Sequence, residues 1–272
     1  MKKILALFLA VLFMSVLFAG CDGKQTNPGA NYRILEEVLA EEFYGIGFRK
    51  GDTELRDDIE LALLTMAADG TTAEISAKWF NGENLFYVED ETLLEDAADI
   101  ELPERSGDFV VGFDMDGFPP MGFADEAGEF IGFDLDLAKE VCNRLGYNLV
   151  LQPVAWPSII MELDAGNIDC IWNGFSIKAD REEKVLFSAP YLKNRQVAMV
   201  LNNDVLAFSD LNGKIIAVQS NSPAYDLVEE NADWAEKMQA YDGYPTAILD
   251  LKAGRVDAVV GDEVMLRYYM NK

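Results

Sequence analysis

The chain has 272 residues, half of them apolar, enough for one large hydrophobic core or two smaller ones. Acids outnumber bases 48 to 22, a formal charge of −26, and such a surface disfavours nucleic acid and anionic lipid as partners. With no histidine, Ser-His-Asp and Cys-His catalysis are excluded; Cys142 and Cys170 form no paired-ligand spacing, so neither a metal nor another cofactor is expected. Both cysteines sit in apolar surroundings and read as buried thiols rather than a disulfide.

At the front, "MKKILALFLAVLFMSVLFAGC" sets Lys2 and Lys3 before an apolar run that ends in Ala19, Gly20 and Cys21. That order is a secretory signal over residues 1–20. Its end resembles the lipobox of bacterial lipoproteins, which implies acylation of Cys21, a tether over 21–30, and an extracytoplasmic protein held at the cell membrane only by lipid. Residues 1–20 hold two lysines and no acid, so their removal makes the chain more negative by two.

Next, Tyr44 to Phe80 reads as a short strand, a turn and two helices closing on aromatics. Leu55, Ile59, Leu63 and Met66 recur at helical spacing, with Asp52 placed to cap and Gly70 to end the helix. Some fifty residues bury too little surface to stand alone, so this stripe needs a partner further along the chain. Residues 83–107 carry nine acids against Arg105, with turn-prone Pro103 and Gly107, and read as a flexible linker.

From Phe109 onward short apolar strands alternate with amphipathic helices, an α/β pattern with largely parallel sheets. Asp134 is placed to cap a helix whose apolar face is Ala138, Val141, Cys142 and Leu145, closed by Gly146. Pro157 opens a helix that Gly166 ends. Ser222, followed by Pro223, is placed to cap another. Two lobes of strand and helix are expected, joined near Arg195 to Leu201.

Four segments, "VGFDMDGFPPMGFADEAGEFIGFDLDLAKEVCNRLG", "IDCIWNGFSIKADREEKVLFSAPY", "LNGKIIAVQSNSPAY" and "LKAGRVDAVVGDEV", resemble the bacterial extracellular solute-binding proteins of family 3, which serve polar amino-acid ABC transporters. The resemblance implies a two-lobed periplasmic-binding-protein type II fold (Venus flytrap) that captures a free amino acid for an ABC permease, without catalysis. The stretch Tyr44–Phe80 also resembles this family, but there it comes last. A circular permutation is therefore expected. Its parts are lobe 1 from 43–83 and 108–194, lobe 2 from 31–42 and 201–272, crossings near 43–50 and 195–201, and the acidic 84–107 joining the family's usual termini. A monomer is expected, with a swapped dimer as the alternative.

The resemblance also assigns a site. Arg181 is implied at the ligand's α-carboxylate and Asp262 at its α-ammonium. Ser222 and the helix N-terminus it caps are further donors, although Pro223 departs from the family pattern and lacks an N–H. Phe118 and Trp156 would flank the ligand side chain, and Asn173, Gly174 and Ser176 would offer loop groups. Asp114 would face the distal end and favour a cationic or amide side chain, with Asp116 able to exchange roles with it. Met121 replaces an aromatic and Gly122 a bulkier residue, implying an adaptable outer wall. On the residues alone, Arg181 is equally a solvated helix residue, Asp262 a helix cap, and Phe118 and Trp156 core aromatics. Two other functions fit such a fold: a secreted dehydratase acting on a prephenate-like acid, with Asp114 as its acid, and a ligand-presenting module for a sensor.

Overall fold

The computed structural model describes residues 32–97, 100–201 and 204–271, so the signal segment, Cys21 and the tether lie outside the described residues. The described chain opens with β1 (Arg33–Ile34), β2 (Ala40–Tyr44) and β3 (Gly47–Phe48). Helices α1 (Thr53–Ala68) and α2 (Thr71–Trp79) follow, and the expected stripe of α1 is buried at Ile59, Leu63 and Met66. Asp52 stands at the start of α1 without capping it, because its carboxylate pairs with Arg49 at 2.8 Å.

The segment read as a flexible linker is packed. Leu85, Phe86 and Leu102 lie against the core, Ala97 in α3 (Leu93–Ala97) is buried, and Arg105 bonds Asp58 and Glu54 of α1 at 2.7 and 2.9 Å. Counting acids hid the apolar residues between them, and these supply a face that α1 covers.

The first sheet is built from β4 (Asp108–Asp114), β7 (Asn148–Val154), β8 (Cys170–Ile171), β9 (Leu186–Phe187) and β3, in the order β7-β4-β8-β3-β9. Between them come a hairpin of β5 (Phe123–Ala124) and β6 (Phe130–Ile131), and helices α4 (Phe133–Leu145), α5 (Ile159–Asp164) and α6 (Ala179–Glu182). The pairs β4–β7 and β4–β8 are parallel, as strands joined through helices must be. β3, from the front of the chain, lies between β8 and β9 and is antiparallel to both, while α1 and α2 pack on α4.

The second sheet holds β10 (Leu192–Val200), β11 (Ile216–Gln219), β12 (Met238–Tyr241) and β13 (Ala258–Asp262) in the order β1-β10-β13-β11-β12, with β2 also on β10. Helices α7 (Pro223–Glu229), α8 (Ala232–Ala235), α9 (Tyr244–Lys252) and α10 (Glu263–Met270) complete it. The chain thus passes between the sheets twice, between β2 and β3 and between β9 and β10. The second passage lies at 188–191, upstream of the expected Arg195–Leu201. Residues 192–200 are one unbroken strand because β2, β1 and β13 pair along its whole length.

Asp134 is not a cap. Helix α4 begins after Gly132, and the Asp134 carboxylate turns inward to accept the Gly174 N–H at 2.7 Å and the Tyr191 hydroxyl at 2.9 Å. Cys142 and Cys170 are free and buried, and burial pushes the Cys142 thiol up to about 12.

Candidate functional site

Between the sheets lies a small, narrow cleft. Its walls come from the C-terminal ends of the parallel strands of both sheets, where open α/β sheets place ligands. The first sheet contributes Asp114 at the end of β4, Phe118 in the loop beyond it, Trp156 after β7, and Asn173, Gly174 and Ser176 after β8. The second contributes Gln219 at the end of β11, Ser222 and Pro223 at the start of α7, and Asp262 at the end of β13. Eight of the nine expected binding residues therefore line one space, Arg181 being the exception.

Asp114 is 1% exposed and spans the cleft, its Oδ2 accepting from Gln219 Nε2 at 2.6 Å. Burial pushes its carboxyl up to about 6, against the hydrogen bonds from the Asp116 N–H and Gln219. Asp116 is exposed and packs beside Gly243, so it is Asp114 that faces the cavity. Asn173 Oδ1 accepts the Asp114 N–H at 3.0 Å, leaving its buried Nδ2 without a partner among the described residues. Gly174 has φ 59°, and a β-carbon there would stand 2.6 Å from the Phe118 ring, so only glycine fits.

Arg181 is 3% exposed, not the solvated helix residue its surroundings in sequence allow. Its Nη1 donates to the Ser176 carbonyl and its Nη2 to the Asn221 carbonyl, each at 3.0 Å, and the second bond crosses between the sheets. The guanidinium lies 4.4 Å from the Phe175 ring and 5.7 Å from the Trp156 ring. Arg181 lines a groove adjoining the cavity, with Trp156 and Asn221. Among the described residues no carboxylate pairs with it, and burial pulls it below the usual guanidinium range.

Asp262 does not cap α10. Its Oδ1 accepts from Tyr44 Oη at 2.6 Å, Asn194 Nδ2 at 2.8 Å and Gln196 Nε2 at 3.0 Å. Ser222 does cap α7, as its place before Pro223 suggests, accepting the Tyr225 N–H at 3.1 Å and donating to the Gln219 carbonyl. Met121 is fully buried in the core and forms no part of the cavity wall, against the expected adaptable rim.

Sequence reasoning missed Gln219, Tyr44, Asn194 and Gln196. A polar side chain closing the apolar strand "IIAVQ" was a signal for Gln219, since strand ends are where sites form. Asn194 and Gln196 sit two apart on one strand face, which from sequence alone reads as a solvated face.

Residues 109–241 match the model of the bacterial extracellular solute-binding proteins, family 3. The ABC transporter arginine-binding protein 1 of Escherichia coli is 29% identical over 56% of this chain, and the match spans 63% of that protein. The L-cystine-binding protein TcyJ of Escherichia coli is 29% identical over 75% of this chain and 71% of its own length. A substrate-binding protein of an ABC uptake transporter from Streptococcus pneumoniae, solved with bound histidine, is 36% identical with a TM-score of 0.57, over 60% of this chain and 69% of that one. The two sheets with their helices form the two-lobed type II periplasmic-binding fold, and the chain belongs to the bacterial extracellular solute-binding proteins of family 3.

Proposed function

We propose that the chain captures a free polar or cationic amino acid between its lobes, without chemical change, and delivers it to an ABC permease. One observation carries this reading. A buried carboxyl with no cationic partner among the described residues, Asp262, lines the small cleft from the second sheet, and a buried guanidinium with no carboxylate partner among them, Arg181, lines the groove that adjoins it from the first. Buried charges demand partners, and an amino acid carries both in the right sense. Arg181 would release the Asn221 carbonyl and grip the α-carboxylate, while Asp262 would take the α-ammonium. Phe118 and Trp156 would enclose the side chain, and Asp114 would meet its distal end. Relatives named for arginine, cystine and histidine support this ligand class. Titration calorimetry against arginine, lysine, histidine, glutamine, cystine and glutamate tests it: one of the first five should bind and glutamate should not. Failure of all six would overturn the reading.

The same proposal includes a permuted chain order and a lipid anchor at Cys21. β3 seated between β8 and β9, and β1 packed beside α10, support the permutation. Moving residues 31–80 to follow residue 271 should then give a protein of equal ligand affinity. Changing Cys21 to alanine should move the protein from the membrane fraction to the medium. Asp114, buried and with its carboxyl pushed up to about 6, also favours the dehydratase reading as the second one. Prephenate incubated with the protein should stay unchanged, and product formation would make that second reading the better one.

A further inference from the structure

Glu42, on β2, reaches the same two amides as Asp262. Its Oε1 accepts from Asn194 Nδ2 at 2.5 Å and from Gln196 Nε2 at 2.8 Å, and both nitrogens also donate to Asp262 Oδ1. An amide nitrogen has two hydrogens, so each can serve both acids and the four groups close a ring. Two carboxylates brought onto the same two amide nitrogens repel each other, and a proton on one of them relieves that repulsion. Beside them, on the carboxamide whose nitrogen joins the ring, Gln196 Oε1 is buried with no partner among the described residues. Neither acid has an ion pair among the described residues. The groups facing the pair are Tyr44 on β2, Tyr244 on α9 and, at longer range, Arg181 on α6. Glu263, next to Asp262, is turned away to Arg195 and Arg267, and on the outer side Glu41, Glu89 and Lys50 share a groove with Glu42.

We propose that Glu42 is a specificity-determining residue of the ligand site: with Asp262 it forms a two-carboxyl seat that holds one proton in the free protein and a primary ammonium group in the complex. The inference rests on the amino-acid reading of the cavity. Burial first, and then the Glu42 charge, push the Asp262 carboxyl well above the usual carboxylate range, in keeping with a proton held there. On binding, the Asp262 O–H bond breaks and its proton passes to the buffer. The ammonium keeps its three hydrogens and donates them to Asp262, Glu42 and the free Gln196 oxygen. Two consequences follow for the ligand. It must present three N–H donors, so N-methylated amino acids bind poorly, and its affinity must rise with pH until the free seat has lost its proton.

Calorimetry of the best-binding amino acid in buffers of different ionisation heat reads the released proton. Wild-type protein should release close to one proton per ligand below the point where the seat ionises, with affinity rising roughly tenfold per pH unit there. Glu42→Gln, which keeps shape and loses charge, should release fewer protons and show a shallower profile moved to lower pH, and Glu42→Asp should restore the release. Proton release and pH slope undiminished in Glu42→Gln would overturn the proposal. An infrared titration of the free protein separates this failure from failure of the amino-acid reading. A protonated-carboxyl band present in wild type and titrating at lower pH in Glu42→Gln upholds the seat even if no amino acid binds, and a band unchanged by the substitution overturns it.

Discussion

Arg181 and Asp262 are both buried, yet they meet burial in different ways. A guanidinium cannot shed its charge inside a protein, so Arg181 is held by two carbonyl oxygens and two aromatic faces. A carboxyl can become neutral, and Asp262 sits among a phenol, two amides and a second acid, all of which tolerate a protonated form. The first-sheet side of the cleft therefore offers a fixed charge and the second-sheet side an adjustable one. Electrostatic demand at a ligand site can be met by either route, and only one of them depends on pH.

The sharpest way to break this comparison is Arg181→Ala. It should cost roughly 3 to 5 kcal/mol of ligand affinity, over a hundredfold, and by the same amount across neutral pH, because the lost group does not titrate. Calorimetry of the variant checks it, and retained tight binding would send the carboxylate site elsewhere. Trp156→Ala removes both a cavity wall and a face on which the guanidinium rests, and should weaken binding by about 2 to 4 kcal/mol with the fold intact.

A third variant sharpens the comparison at the loop Asn173–Ser176. Asp134 holds that loop through the Gly174 N–H, and burial pushes its carboxyl from the ordinary 3.8 to about 7. Its folded value is raised, so the native state binds more protons between those pH values. The stability this contributes is complete below 3.8, declines as pH rises and is gone above about 7. Asp134→Asn should remove that decline, narrowing the difference between the unfolding free energies at low and neutral pH, read by urea titration, by about 4 kcal/mol. The smallest effect belongs to Asp114→Asn. Affinity for a cationic amino acid should fall about tenfold and for glutamine much less, about 1 kcal/mol of discrimination read by paired titrations.

Much of the site was legible because it obeys local rules. Ser222 before Pro223, the stripe of α1, and acids or loops at the ends of apolar strands all follow from spacing and capping. What escaped depended on partners far along the chain. Asp134 has the composition of a helix cap and instead serves an amide forty residues away. Arg181 stands among charged neighbours and is buried because Phe175 and Trp156 fold over it. Glu42, Asn194 and Gln196 alternate like a solvent face until β2, β10 and β13 are brought side by side.

The two residues of β3 also govern the order in which the molecule can be assembled. Gly47 and Phe48 are made early, yet their strand neighbours are Cys170 and Ile171 on one side and Leu186 and Phe187 on the other. No local hairpin can satisfy them, and the loop-closure entropy must be met before any pairing rewards it. The first sheet therefore cannot close until Phe187 has been synthesised. During that interval the apolar stripe of α1 has α3 and α4 to pack on but no closed sheet beneath them, a nascent-chain liability that a version of the fold carrying this segment last would not share.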